Sequence, residues 1–472
     1  MLLLLLSLTA FAEDLSYADA LQQALDRNAS VLGGQLSADG ARGALLASRG
    51  TFDPELSGWL GYSANRSEAT REFGDVLSSF NSLSADAEIS QYLQTGTSLT
   101  LGLTTSQSRF RYELRDTGLV VESDEPQWST DLSLGLTQNL LEGFSRRYNL
   151  QGVRAAEQAV ETASLSVLAT RQQVLADTAS AYWGLVLAQR LVTIAEQGLA
   201  VAEEERRIVL ARVEAGSLAP IERTRVEAAV VQARSSLLEA QSAAAAAAEG
   251  LQVLLGDSPD GEVRAISEPA EPSAIELDDA AIAEEALRGN LDLQQLRLAE
   301  ESADLDLRDA RHALLPSLSL VGSTALKGYE TSLSGSFAEV FGGELLDWSL
   351  GGQVGTPLGN RAARGAVAQR EASLAQARIS RESAERSLVQ GVRAQVRAVE
   401  QAAVTVELAR ANLDLAEQTL AAERVLQEAG RALQKDVLES MRAVDSARVA
   451  VEQARVDHAM AVVELMRLRG AL

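Results

Sequence analysis

Glu214-Ala215-Gly216 recurs as Glu428-Ala429-Gly430, and Arg147 recurs as Arg361; both pairs are 214 residues apart (428 − 214 = 214; 361 − 147 = 214). A constant offset at both ends of the stretch means that two copies of one long element lie in the chain without insertion or deletion. No proline falls between residues 147 and 216, and the copy from 361 to 430 has neither proline nor an aromatic residue. A helix of that length rises about 1.5 Å per residue, roughly 100 Å in all. A period this long exceeds the 20–50 residues of ordinary solenoid repeats. The chain is a duplicated half-molecule.

Working outward, Asn28 matches Asn290, and Pro54 and Ser57 match Pro316 and Ser319, at an offset of 262 (316 − 54 = 262). The offset therefore falls by 48 (262 − 214 = 48) between Ser57 and Arg147. The first half carries that excess in its strand region, in a hairpin near residues 88–105 and a loop over 109–126. Around it, the apolar period drops from helical to two. Leu99, Leu101 and Leu103 alternate with Ser98, Thr100, Gly102 and Thr104, and Leu132, Leu134 and Leu136 alternate with Ser133 and Gly135. Such strands bury or expose one greasy face. Three of the four tryptophans, Trp59, Trp128 and Trp348, lie in these regions, as an interfacial belt requires; the plainer reading is that aromatics favour strands.

The expected organisation follows. Residues 1–12 read as the apolar and cleavage regions of a secretory signal, cut short at its start: an apolar run, then Ala10-Phe11-Ala12. Residues 13–256 form the first repeat, with a helix over 17–50, strands over 55–138, a long helix over 147–215 and a helix over 219–255. Residues 257–273 link it to the second repeat, 274–472, with a helix over 276–314, strands over 317–356, a long helix over 361–429 and a helix over 432–468. The two shorter helices of a half sum to about the length of its long one, so each half reads as one long helix beside two stacked shorter ones. No stretch after the signal reads as long and apolar enough for a membrane-spanning helix, which needs about 20 apolar residues. An exported chain without one is free, secreted, or inserted as a β-barrel, whose strands turn an apolar face to lipid.

Composition narrows the function. Aromatic residues make up 4% of the chain, with eight prolines, and Ala and Leu lead with Glu and Arg abundant, as in long helices. The net charge of −24 speaks against nucleic acid, which needs a basic footprint. With no cysteine there is no thiolate chemistry. His312 and His458 stand alone and read as surface or lightly packed residues rather than ligands. No nucleophile–base pair, metal cluster or phosphate loop is present, so no catalytic residue, metal or cofactor is expected.

These residues resemble the TolC-type outer-membrane efflux family. The likeness rests on the paired openings at Pro54 and Pro316 and on the approaches Leu140-Leu141-Glu142-Gly143 and Thr356-Pro357-Leu358-Gly359-Asn360 to the long helices. It also rests on the two Ala-Gly turns, each followed by an acidic helix start. The resemblance implies a mainly α fold with a transmembrane β-barrel part: a homotrimer whose chains share one barrel in outer-membrane lipid and one α-helical tunnel in the periplasm. It implies the exit duct of a tripartite efflux or type I secretion system, with a periplasmic adaptor and an inner-membrane pump as partners.

By position, the resemblance also implies a periplasmic constriction at Asp436 and Glu439, with Glu222 on the first hairpin. It implies adaptor docking on Ala215, Gly216, Ser217, Ala429, Gly430 and Arg431. Asp436 and Glu439 are three apart and share a helical face; in a trimer they form a carboxylate ring that favours cations. The plainer reading is a solvated acidic face. Ala215 and Ala429 stand where the family usually has Val, and Ala432 where it often has Arg. A different class of function, a periplasmic coiled-coil scaffold or adaptor, would carry one hairpin rather than two equal ones.

Overall fold

The computed structural model describes residues 13–71, 74–114, 116–123, 125–259, 263–272, 278–429 and 431–472. The expected signal segment and Gly430 lie outside the described residues. The first half runs β1 (Glu13–Leu15), α1 (Tyr17–Arg27), α2 (Ala29–Arg49), β2 (Glu55–Arg71), β3 (Gly74–Tyr92), β4 (Thr97–Leu114), β5 (Leu119–Glu122), β6 (Gln127–Asn139), α3 (Arg146–Asn149), α4 (Gln151–Glu214) and α5 (Ile221–Leu255). After β7 (Val263–Ala265) come α6 (Asp279–Gly289), α7 (Leu291–His312), β8 (Ser317–Glu330), α8 (Leu333–Gly342), β9 (Leu345–Gly355), α9 (Arg361–Glu428) and α10 (Gln434–Arg469).

Four local features depart from the sequence expectation. The early helix of each half is broken, at Asn28 and at Asn290, whose backbones are extended (ψ 129° and 123°). Asn28 Oδ1 accepts from Ser30 N at 2.8 Å, and Asn290 Oδ1 from Leu293 N at 3.0 Å, so each asparagine caps the following helix. The first long helix starts at Gln151, after the short α3 and a non-helical Leu150. The linker is not structureless, because β7 pairs parallel with β1. The second strand region is interrupted by α8, capped by Ser332 Oγ on Gly335 N (3.1 Å) and closed by left-handed Gly343.

The chain divides into two compact units, one of residues 1–39, 162–298 and 379–472, the other of 40–161 and 299–378. The first is helical. Its larger core gathers Ala20, Ala24 and Val31 with Tyr182, Leu185 and Val186 of α4 and Leu251 and Leu255 of α5. Tyr182 Oη donates to Leu15 O and accepts from Ser267 N, both at 2.9 Å, clasping the β1–β7 pair. The repeat-equivalent core is smaller, with Ala286, Val392, Val396, Val399 and Leu465; Val396 stands where the first half has Tyr182 (396 − 182 = 214). Contrary to the sequence expectation, one window of α4 is long and apolar enough to cross a membrane. The buried Val174, Tyr182, Trp183, Leu185 and Val186 of α4 belong to this core.

The same ion pair links the two helices of each hairpin. Arg234 Nη2 meets Glu203 Oε1 at 2.8 Å between α5 and α4, and Arg448 Nη2 meets Glu417 Oε1 at 3.0 Å between α10 and α9. Both partners shift by 214 (448 − 234; 417 − 203). Each hairpin also ends alike. Gly256 and Gly470 are left-handed at the ends of α5 and α10, and a Cβ on either would meet a carbonyl oxygen of the facing break, Arg27 O or Gly289 O.

The second unit holds an antiparallel sheet in the order β2-β3-β4-β6-β8-β9, with β5 on the end of β4. Residues directly opposite in such a ladder share a face. One row is therefore Leu56, Ile89, Leu101, Leu134, Thr324 and Trp348, and the next face-mate row is Gly58, Ala87, Leu103, Leu132, Leu326 and Leu346. The opposite face carries Asp86, Thr104, Asp131 and Lys327 in one row. Trp128 and Trp348 lie on the leucine face, whereas Trp59, opposite Asp86, lies on the polar one. Helix α8 sits on the leucine face, where Ser336 Oγ meets Thr130 Oγ1 at 2.8 Å and both are fully buried.

In the same unit, Arg154 Nη2 of α4 donates to both carboxylate oxygens of Asp309 of α7, at 2.8 and 3.1 Å, mostly shielded from solvent. Gly96 (φ 80°) passes so close to Gly143 that a Cβ there would lie 2.0 Å from Gly143 O.

Candidate functional site

The acidic and turn residues singled out by sequence all fall in the helical unit. At the first turn, α4 ends in a left-handed Gly216 (φ 72°). Ser217 N donates to Arg212 O at 2.9 Å and Gly216 N to Val213 O at 3.0 Å, the paired 6→1 and 5→2 bonds that satisfy the last carbonyls of a helix. Pro220 then opens α5, where its missing N–H costs nothing.

Glu222 lies in the first turn of α5, where a carboxylate complements the helix dipole. Its Oε1 meets Arg225 Nη1 at 2.6 Å, and the side chain is only 13% exposed. Its other oxygen, Oε2, is buried with no hydrogen-bond partner among the described residues.

At the second turn, Arg431 N donates to Leu426 O at 2.8 Å and Ala429 N to Val425 O at 3.1 Å. Asp436 is half-buried and its Oδ2 accepts from Leu433 N at 3.1 Å. That is the reach-back half of a capping box; Leu433 has no side-chain acceptor for the other half. Glu439, one turn further on, is exposed. The structure thus gives the two carboxylates different local duties, one as a helix cap and one free to face outward.

The turns are related residue by residue. Asp436 repeats Glu222 and Glu439 repeats Arg225, each at an offset of 214 (436 − 222; 439 − 225). An acid–base pair in the first hairpin is a pair of acids in the second. Pro220 is likewise repeated as Gln434 (434 − 220 = 214). Gln434 is 5% exposed, donates from Nε2 to Glu205 Oε1 of α4 at 2.5 Å, and accepts from Gln427 Nε2 of α9. This polar tie joins the second turn to the first hairpin. No local signal marks it, since a glutamine at a helix start is ordinary until its partners from distant segments are known.

Further along the same helices, α4, α5 and α10 enclose a crevice of about 580 Å³ lined by small residues, among them Gly198, Ala233 and Ala240. Asp445 lies in it beside Gly198. Burial pushes the Asp445 carboxyl above its ordinary range, with Arg448 pulling the other way. Its repeat equivalent is Val231 (445 − 231 = 214). His458 is buried on α10, and burial lowers its pKa. His312 packs against Tyr148 with ring centroids 4.6 Å apart and the planes tilted by 46°, and accepts from Gly143 N. Among the described residues no group of His, Asp and Glu side chains is arranged to hold a metal ion.

Comparison with known proteins bears on this arrangement. Residues 98–257 and 282–471 match the outer membrane efflux protein family, one segment in each half. The fold is similar to the Campylobacter jejuni CmeC outer membrane channel (16% identity, TM-score 0.71, covering 96% of this chain and 85% of that one). It is also similar to the outer membrane protein VceC of Vibrio cholerae (16%, 0.69, 96% of both chains). The open state of the Neisseria gonorrhoeae MtrE outer membrane channel aligns too (18%, 0.66, 96% and 88%). No curated protein sequence matches the chain.

Proposed function

Since the chain belongs to the outer membrane efflux protein family, we propose that it is the trimeric exit duct of a tripartite efflux or type I secretion machine. It is an outer-membrane efflux channel with its helical part in the periplasm. The finer reading adds a periplasmic adaptor, docked on the turns at Ala215, Gly216 and Ser217 and at Ala429, Gly430 and Arg431, and an inner-membrane pump behind it. The duct is passive, and substrate moves down the path that the pump loads.

The observation that carries this reading is the sheet. Its leucine face runs across six strands, as lipid demands of a barrel wall, while Asp86, Asp131 and Lys327 line the other face toward water. Three chains bring six half-units to one tunnel, and the constant 214-residue offset gives each half one long helix, 64 residues in α4 and 68 in α9. At the tunnel's periplasmic tip, Glu222 is neutralised by Arg225, so the uncompensated charge belongs to Asp436 and Glu439. We assign the constriction to that pair, with Glu222 in a supporting place.

Separation of membranes by density, followed by extraction in mild detergent, tests the assignment. The expected product is an outer-membrane trimer. A soluble monomer in the periplasmic fraction would favour the scaffold or adaptor reading instead.

A further inference from the structure

We infer that the membrane barrel of the assembled channel takes six strands from each copy, eighteen in a trimer, and is therefore wider than two equal halves would make it. The inference rests on the trimeric reading above. In the second repeat only β8 and β9 stand between α7 and α9. Their counterparts are β2, which follows Pro54 as β8 follows Pro316, and β6, the last long strand before α4 as β9 is before α9. The excess of 48 residues in the first half therefore supplies β3 and β4.

That hairpin is not an appendage. β3 pairs with β2 from Glu55↔Ser90 to Arg71↔Gly74, and β4 pairs with β6 from Thr97↔Gln138 to Ser108↔Gln127. The inserted strands thus separate β2 from β6 along the full ladder. They also carry the apolar face without interruption, through Ile89 and Ala87 on β3 and Leu101 and Leu103 on β4. Taking them out of the wall would leave two apolar strands with no lipid to face.

The sheet does not close on itself. Among the described residues neither the outer edge of β2 nor that of β9 has a strand partner. The apolar face continues to both edges, with Leu56 and Leu60 on one and Trp348, Leu350 and Val354 on the other, all exposed. An open edge in hydrocarbon leaves N–H and C=O groups unpaired, which no membrane-spanning sheet tolerates, and six strands are fewer than the eight of the smallest membrane barrels. The strands alternate in direction from β2 to β9, so β9 of one copy meets β2 of the next antiparallel. The occupant of each edge is a second copy of this chain.

With strands about 4.8 Å apart and tilted about 40°, eighteen strands give a backbone diameter of about 36 Å, against about 24 Å for twelve. The chain has no cysteine, so a single nitroxide per copy reports this width. Leu134→Cys on β6, spin-labelled in the purified trimer and measured by pulsed electron–electron resonance, places three labels at the corners of a triangle. The backbone-to-backbone side is about 31 Å for eighteen strands and about 21 Å for twelve. An outward label at residue 134 lengthens either value, and Ser133→Cys on the opposite face shortens it, so the two sites bracket the wall. Brackets around the longer distance are expected. Brackets around the shorter one would show that β3 and β4 leave the wall, overturning the inference. No dipolar coupling between copies would instead remove the trimer on which it rests.

Discussion

Glu222 holds Arg225 at 2.6 Å across one turn of α5, and the two positions that repeat this pair, Asp436 and Glu439, are both acidic. The duplication thus kept the turn's closing bond, Ser217 N to Arg212 O and Arg431 N to Leu426 O, while reversing one charge after it. On one helix face, opposite charges three residues apart stabilise by a few tenths of a kcal/mol, and like charges destabilise by a similar amount. The second hairpin carries that small local cost together with a pair whose net charge is two units more negative per copy than the first hairpin's (−2 against 0).

Glu439→Arg restores the first hairpin's pairing in the second. The account predicts weaker block of the channel by multivalent cations applied from the periplasmic side, by about tenfold, corresponding to about 1.4 kcal/mol of lost cation affinity. Titration of the single-channel current with a trivalent cation measures it. Block equal to that of the unaltered protein would return Glu439 to a solvated helix face.

Asp445 makes stability depend on pH. Its carboxyl is raised by burial, so its contribution is fully present below the unfolded value near 3.8 and is lost as pH rises through the higher folded value. Asp445→Asn is therefore expected to melt slightly higher than the parent at pH 7, by less than burial alone would give because solvent screens this partly exposed site, with the gap closing near pH 3. His458, lowered by burial, acts oppositely: its contribution is present above about 6.5 and lost as pH falls through the folded value. It is common to both proteins and cancels in the difference. Thermal melts of both across that range test the sign.

Two glycines separate strain from collision. Gly216 has φ 72° and open space around an added Cβ, whereas Gly96 has φ 80° and a carbonyl oxygen 2.0 Å away. Gly216→Ala is expected to cost about 1–2 kcal/mol, the left-handed penalty alone. Gly96→Ala is expected to cost more than that and to lower the yield of assembled protein. Equal losses in thermal melts would contradict the difference in surroundings.

Asp309→Ala leaves the Arg154 guanidinium shielded and uncompensated, and about 3 kcal/mol of destabilisation is expected. Arg154→Met made together with Asp309→Leu should recover most of it, since a well-packed apolar pair avoids the desolvation of both ions. Thermal melts of the single and double variants decide between an ion pair that matters and one that only decorates the junction.

The sequence carried the long-range plan because periodicity and offsets are additive signals. The proline-free stretches produced α4 and α9, and Leu99, Leu101 and Leu103 alternate as the sheet requires. Breaks set by single residues were harder to read. Asn28 and Asn290 were visible as a repeated pair, but the close approach of left-handed Gly256 and Gly470 to these breaks comes from segments more than a hundred residues away. Helix α8 was missed because the segment was read as strand throughout 317–356, and its helix is held by the buried contact of Ser336 with Thr130. At the site, Asp436 and Glu439 were legible as charges. The capping bond of Asp436 to Leu433 N and the tie of Gln434 to Glu205 were not, since both depend on where the turn places its backbone.

The most direct test of the account is the current carried by the purified protein in a planar lipid bilayer, alone and with Asp436→Asn and Glu439→Gln together. Asparagine keeps an oxygen for Leu433 N, so the cap survives while both charges vanish. The account predicts discrete channel steps from the parent and a larger open conductance from the double variant. An absence of channel steps from both proteins, each inserted as a folded trimer, would contradict it.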